Sequence, residues 1–232
     1  MSIYVMSDLH GEATMFHKML RLIQFSSNDT LYILGDVIDR GPDGIQLLLD
    51  IMEHPNMILL MGNHEYMMMQ YFSADATETE IRRWNKNGNT PTRDAYLGLD
   101  STTQAKILHD ISELPTHHKL TVGNYSFYLV HGFPGDNVHD EVWGRPNVNS
   151  ENPISDSILI IGHTPVLSLQ APKDKRDDLM ANMISKCIHP TILHTAGFID
   201  IDCGCSYDPP LKTLGCLRLD DMAEFYVSNL GE

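Results

Sequence analysis

The sequence predicts an α/β fold, built on a largely parallel sheet, whose strand ends converge on one ligand site. Two observations predict it: apolar strand-like stretches alternate with segments of helical periodicity, and five of those stretches stop abruptly in metal-binding or phosphate-binding residue types. They are Ile3-Tyr4-Val5-Met6-Ser7 into Asp8-Leu9-His10-Gly11, Leu31-Tyr32-Ile33-Leu34 into Gly35-Asp36-Val37-Ile38-Asp39-Arg40-Gly41, and residues 57–61 into Gly62-Asn63-His64-Glu65. The last two are residues 125–130 into His131-Gly132 and 157–161 into Gly162-His163-Thr164-Pro165. In an open α/β sheet, ligands gather beyond the carboxyl ends of the strands, so five such clusters can meet in one place.

The elements follow in order. After the first strand, Met15, Phe16, Met19, Leu20 and Ile23 share one helical face, and after the second, Ile45, Leu48, Leu49 and Met52 repeat the spacing. This βαβαβ order implies parallel pairing. Residues 65–115 read as a mostly helical insertion, a plausible cap over the site, with Ser101 and Gln104 placed for a capping box ahead of Ala105, Leu108, Ile111 and Leu114. The Met67-Met68-Met69 run reads mainly as core. Strands return at 125–130 and 157–161, then near 198–202, 213–219 and 223–227, with an exposed charged stretch at 171–178 between them.

The 232 residues suit a single domain, 1–232, because no linker or composition break divides them. A formal charge of −15 disfavours nucleic acid and anionic membranes as partners, although bound cations would still admit an anionic substrate. No apolar run approaches the roughly 20 residues of a membrane span, and Asp8 and His10 interrupt any signal peptide. Cys187, Cys203, Cys205 and Cys216 form no disulfide framework, which favours a cytoplasmic, reduced setting, and Cys203 and Cys205, after the strand-like Phe198-Ile199-Asp200-Ile201, read as packed free thiols.

In a strand, residues two apart project to the same side, so Asp8 and His10 can present a carboxylate and an imidazole to one cation. Taken alone, that pair reads equally well as an exposed turn. Asp36 can bridge two metals with its two oxygens, Asn63 offers a carbonyl ligand, and His131 and His163 add two imidazoles. The resulting expectation is one metal on Asp8, His10 and Asp36 and a second on Asp36, Asn63, His131 and His163. Two such cations acidify a solvent molecule held between them and aim the hydroxide at phosphorus. His64 is expected to protonate the leaving oxygen, with Asp39 orienting its imidazole; a salt bridge to Arg40 is the plainer role for Asp39. Arg40 can clamp a phosphoryl group in a bidentate fork, and Arg145, in Trp143-Gly144-Arg145, is the candidate second clamp.

Together these motifs resemble the calcineurin-like metallophosphoesterases, and more narrowly the phosphoprotein phosphatase family of serine/threonine phosphatases in its bacterial and bacteriophage form. The resemblance runs in order through residues 3 to 165. It implies two packed mixed β-sheets flanked by helices, an α/β/β/α sandwich, and two divalent metal ions, Mn2+ by preference with Fe or Zn as alternatives. The implied activity is hydrolysis of phosphoserine and phosphothreonine in a phosphorylated protein or peptide. Symmetrical diadenosine tetraphosphatases share most of this framework but tend to lack an Asp at the position of Asp39 and to carry Asp where Glu65 stands. Hydrolysis of dinucleotides or other small phosphoesters is therefore the alternative, with a non-catalytic scaffold a third. A dinucleotide would want stacking and cationic groups, for which Arg82, Arg83, Trp84, Lys86 and Arg93 are available; the preferred reading of that stretch is a solvated helix face.

Overall fold

A computed structural model describes residues 1–229. The chain runs β1 (Ile3–Met6), α1 (Ala13–Leu22), β2 (Thr30–Ile33), α2 (Gly44–Glu53) and β3 (Met57–Leu59), then α3 (Asn63–Tyr71), α4 (Glu78–Lys86), α5 (Thr90–Leu97) and α6 (Ser101–Ser112). It continues through β4 (His117–Val122), β5 (Tyr125–Val130), α7 (Val138–Trp143), β6 (Ile158–Ile161), α8 (Val166–Gln170) and α9 (Arg176–Ser185). The last strands are β7 (Leu193–His194), β8 (Ile199–Asp200), β9 (Thr213–Arg218) and β10 (Ala223–Ser228).

These strands make two five-stranded sheets, in the orders β10-β9-β1-β2-β3 and β4-β5-β6-β8-β7. Parallel pairing holds at the centre of each, from β1 to β2 to β3 and from β5 to β6 to β8. The flanks are antiparallel: β9 against β1, β10 against β9, β4 against β5 and β7 against β8. The largely parallel single sheet inferred from periodicity is thus corrected to two mixed sheets, as the family resemblance implies.

Alternation along β1 explains the layering. Val5 joins Tyr32, Leu34 and Leu217 against Phe127, Leu129, Ile160 and Ile199 of the second sheet. Its neighbours Tyr4 and Met6 face the other way, onto Met15, Phe16 and Met19 of α1 and Leu47, Leu48 and Ile51 of α2. Both faces of β1 and β2 are buried, which is why they read as unbroken apolar runs. Val130, Leu159, Ile161 and Phe198 form the outer core of the second sheet.

Two local expectations are corrected. Asp100, not Ser101, caps α6, its carboxylate accepting from the Thr102 and Thr103 amides, while Gln104 donates to the Tyr96 and Leu99 carbonyls. β4 is a strand where none was expected; its residues alternate between exposed and half-buried, so its sequence carries no apolar run. Met67 and Met68 are core, as anticipated.

Candidate metal-centred active site

The site is built from turns that begin where the strands end. Asp8, His10, Asp36, Asp39, Arg40 and His163 all have left-handed backbones, with φ of 55, 46, 54, 72, 69 and 64°. Such conformations cost a non-glycine residue of order 1–3 kcal/mol and cluster at functional sites. Hydrogen bonds hold them: the amides of Asp8, His10 and Gly11 donate to the carbonyls of Gly35, Asp36 and Val37, tying the first loop to the second. Fully buried Glu65, in the first turn of α3, accepts from the amides of Asp36 (2.8 Å), Val37 (2.8 Å), Ile38 (3.3 Å) and Gly62 (3.2 Å). Burial first, and then the nearby Asp36 charge, push its carboxyl up to about 7.

These turns bring the ligand-type side chains together. His10 Nδ1 faces the Ile38 carbonyl at 3.0 Å and His131 Nδ1 faces that of Leu34 at 2.5 Å, so each ring donates there and turns its Nε2 to the site. Asp36 sits between two triads, His10–Asp36–His64 and Asp36–His131–His163, whose ligand atoms lie within 4.8 Å of one another. Its Oδ2 is 3.8 Å from both His10 Nε2 and His64 Nε2, and its Oδ1 is 3.3 Å from His131 Nε2. Asp8 Oδ1 stands 3.9 Å from His10 Nε2, and Asn63 Oδ1 lies 3.0 Å from His131 Nε2.

Electrostatics add to the case for cations. The buried His163 Nε2 has no hydrogen-bond partner. Burial, then the nearby His131 and Arg145 charges, push the His163 ring down to about 2, leaving a neutral imidazole of the kind a metal binds. Burial also raises the Asp8 carboxyl, and burial followed by the Asp8 charge pushes Asp202 well above the usual carboxylate range. A carboxylate whose two oxygens face two triads, beside the His10 and His163 rings that burial keeps neutral, fits a pair of divalent ions.

Seven of the ten expected residues line one cavity of about 120 Å3: Asp8, Asp36, Arg40, Asn63, His64, Arg145 and His163. His10, Asp39 and His131 stand behind it, touching Arg40, His64 and Asn63 of the lining respectively. His64 Nδ1–H donates to Asp39 Oδ2 at 2.6 Å, leaving Nε2 toward Asp36 and Arg40. Burial would lower the His64 ring, but the Asp36 and Asp39 charges outweigh it and raise it. The hydrogen-bond partners of the Asp39 carboxylate are His64 and Trp84, whose Nε1–H donates to the same Oδ2 at 2.6 Å. Arg40 reaches His10 Nε2 at 2.7 Å and Ser206 Oγ at 2.9 Å. Arg145 is exposed at the rim, its Nη1 3.4 Å from the His163 carbonyl.

Sequence reasoning missed several participants. Asp202 lines the cavity and follows the strand-like Phe198-Ile199-Asp200-Ile201, a weaker form of the signal at the other five clusters because Asp200 interrupts the apolar run. Ser7 donates to Asp8 Oδ2 at 2.5 Å, where the His163 amide also donates at 3.0 Å. Asn87 lines the cavity from the insertion, and Trp84 is fully buried rather than part of a solvated face. The insertion is therefore a side wall of the site.

The family model for calcineurin-like phosphoesterases matches residues 1–186. A symmetrical bis(5'-nucleosyl)-tetraphosphatase of Wigglesworthia glossinidia brevipalpis is 28% identical over 166 residues, 62% of this chain and 61% of that protein. The chain thus spans about three fifths of that relative's length. Serine/threonine-protein phosphatase 1 of Salmonella typhimurium is 28% identical over 177 residues, 71% of this chain and 79% of that one. The crystal structure of a metallophosphoesterase from Sphaerobacter thermophilus superposes with a TM-score of 0.57 at 17% identity, covering 98% of this chain and 88% of that one. No helix among the described residues is long and apolar enough to cross a membrane.

Proposed function

The chain belongs to the calcineurin-like phosphoesterase family, and on that premise we propose that it hydrolyses phosphoserine and phosphothreonine in proteins, with Mn2+ as its metal and the cytoplasm as its setting. Asp8, His10 and Asp36 would hold one ion, and Asp36, Asn63, His131 and His163 the other. When bound, the ions supply Lewis acidity and neutralise phosphoryl charge.

The observation that carries this reading is the buried Asp39–His64 pair, joined at 2.6 Å beside the cavity. A serine or threonine leaving as an alkoxide needs a proton, whereas a nucleoside diphosphate leaves readily without one. His64 delivers that proton from Nε2, while Asp39 fixes the tautomer through Nδ1. Arg40 and Arg145 bind and orient the phosphoryl oxygens, each able to offer paired N–H donors. Within the insertion Trp84 is buried and Arg82 and Arg93 pair with Glu78 and Asp94, which weakens the case for a nucleotide there, while Arg83 lies over the ring of the cavity-lining Trp143 at 5.7 Å.

Likeness to symmetrical tetraphosphatases supports dinucleoside polyphosphate hydrolysis as the second reading. The test is kcat/KM of the metal-loaded protein on a phosphoserine peptide, a phosphotyrosine peptide and diadenosine tetraphosphate. The phosphoserine peptide is expected to exceed the dinucleotide by at least about tenfold, near 1.4 kcal/mol in the transition state. A dinucleotide preference would overturn the protein-phosphatase reading.

A further inference from the structure

We propose that Trp84 is a positioning residue for the proton-donating pair, and that the helical insertion serves to hold the Asp39–Arg40 turn in its working shape. The inference rests on the general-acid role proposed for His64.

Trp84 Nε1–H and His64 Nδ1–H both donate to Asp39 Oδ2, each at 2.6 Å, while the buried Asp39 Oδ1 has no partner. The direction of the carboxylate is thus set by two donors on one oxygen. Trp84 is 0% exposed and wedged edge-on against Tyr71 and Phe72, at ring separations of 4.9 and 5.8 Å, so its indole N–H is aimed by packing. The backbone beside it is anchored from the same insertion: the Asp39 amide donates to Thr92 Oγ1 at 2.8 Å and the Arg40 amide to the Gly88 carbonyl at 2.9 Å. Two successive left-handed residues, Asp39 and Arg40, are held by three hydrogen bonds from α4, α5 and the turn between them.

A charge-assisted hydrogen bond of this length constrains its acceptor strongly, and a misplacement of about 1 Å in a catalytic group costs on the order of 100-fold. Without the indole N–H, Asp39 is free to turn about its side chain, and His64 loses its fixed orientation. A tryptophan serving only as core filling would affect stability and leave the chemistry's dependence on the leaving group unchanged.

The experiment uses the full metal-loaded chain with Trp84→Phe, which keeps a ring and removes the N–H. Turnover of a phosphoserine peptide is expected to fall about tenfold or more at unchanged KM and metal content, while p-nitrophenyl phosphate, whose leaving group needs little protonation, loses less than about threefold. In an Asp39→Ala background the same change is expected to add nothing. Equal losses on the two substrates, or full additivity with Asp39→Ala, would overturn the proposal. A second measurement does not need Trp84→Phe to fold. The chain has two tryptophans, so its indole N–H signals are assigned with Trp143→Phe, and the Trp84 signal is expected downfield and to move upfield in Asp39→Ala. A signal that stays put overturns the proposal. If the wild type hydrolyses neither substrate, the protein-phosphatase reading fails, and the indole signal still decides whether Trp84 holds Asp39.

Discussion

Gly162 gives the sharpest test of how tightly the proposed metal ligands are held. It lies between β6 and His163, and a methyl group there would collide with Ser7 Oγ and come within 2.6 Å of Asp8 Oδ2. Ordinary contact begins near 3.4 Å, so Asp8 would have to retreat by about 0.8 Å. That retreat also breaks the Ser7 and His163 hydrogen bonds that aim Asp8. Disturbing the groups that orient a ligand typically costs 10–100-fold in metal affinity, about 1.4–2.7 kcal/mol, and overpacking adds about 1–3 kcal/mol of destabilisation. Gly162→Ala is therefore expected to weaken binding of the ion at Asp8 by about 10–100-fold in a Mn2+ titration, with a parallel loss of kcat/KM. Adding Ser7→Ala removes the nearest of the three clashing atoms, Ser7 Oγ, and is expected to recover part of the affinity. Wild-type metal affinity in Gly162→Ala would refute the reasoning, because the Asp8 carboxylate would then be shown to move without consequence.

Other outcomes follow from the same geometry. Asp36→Asn is expected to lower the content of both metals and abolish turnover while the fold survives; two retained ions with near wild-type activity, by metal analysis, would remove Asp36 as the bridge. His64→Asn is expected to reduce phosphoserine hydrolysis by about 10²–10⁴-fold and p-nitrophenyl phosphate hydrolysis by much less, and equal losses would count against the acid assignment. Arg40→Ala and Arg145→Ala are each expected to lower kcat/KM and weaken inhibition by phosphate. If Arg145→Ala changes neither, the second clamp lies elsewhere in the loop at 133–156.

What the sequence made legible follows physical scale. β1, β2 and the faces of α1 and α2 were readable because burial on both sides of a strand, or on one stripe of a helix, writes a local pattern. Nine of the ten candidate site residues could be named because each closes or follows such a run, whereas Arg145 was named from the Trp143-Gly144-Arg145 loop alone; seven of the ten line one cavity. β4 was not readable, since a half-exposed strand at a sheet edge needs no apolar run. The division into two sheets rests on pairings such as that of β1 with β9, more than 200 residues apart, which no local window contains. Trp84 escaped for the same reason: its partner Asp39 is 45 positions away, and a tryptophan amid Arg82, Arg83 and Lys86 looks like surface until the fold buries it. Asp100 and Ser101 are both competent caps, so only the backbone could choose between them.

The two sheets contribute to the proposed metal centre unequally. Asp8, Asp36 and Asn63 come from the ends of strands in the first sheet, His131 and His163 from the second. A pair of ions bound there is a rivet through the sandwich, and sliding one sheet on the other by even an ångström would pull the ligands out of register. Loading the site should therefore stiffen the seam along with the cleft, with stability rising by RT ln(1 + [metal]/Kd) and hydrogen exchange slowing together in β1, β2, β5 and β6. Chelation should release both sheets at once, so that loss of metal is felt mechanically in strands far from any substrate.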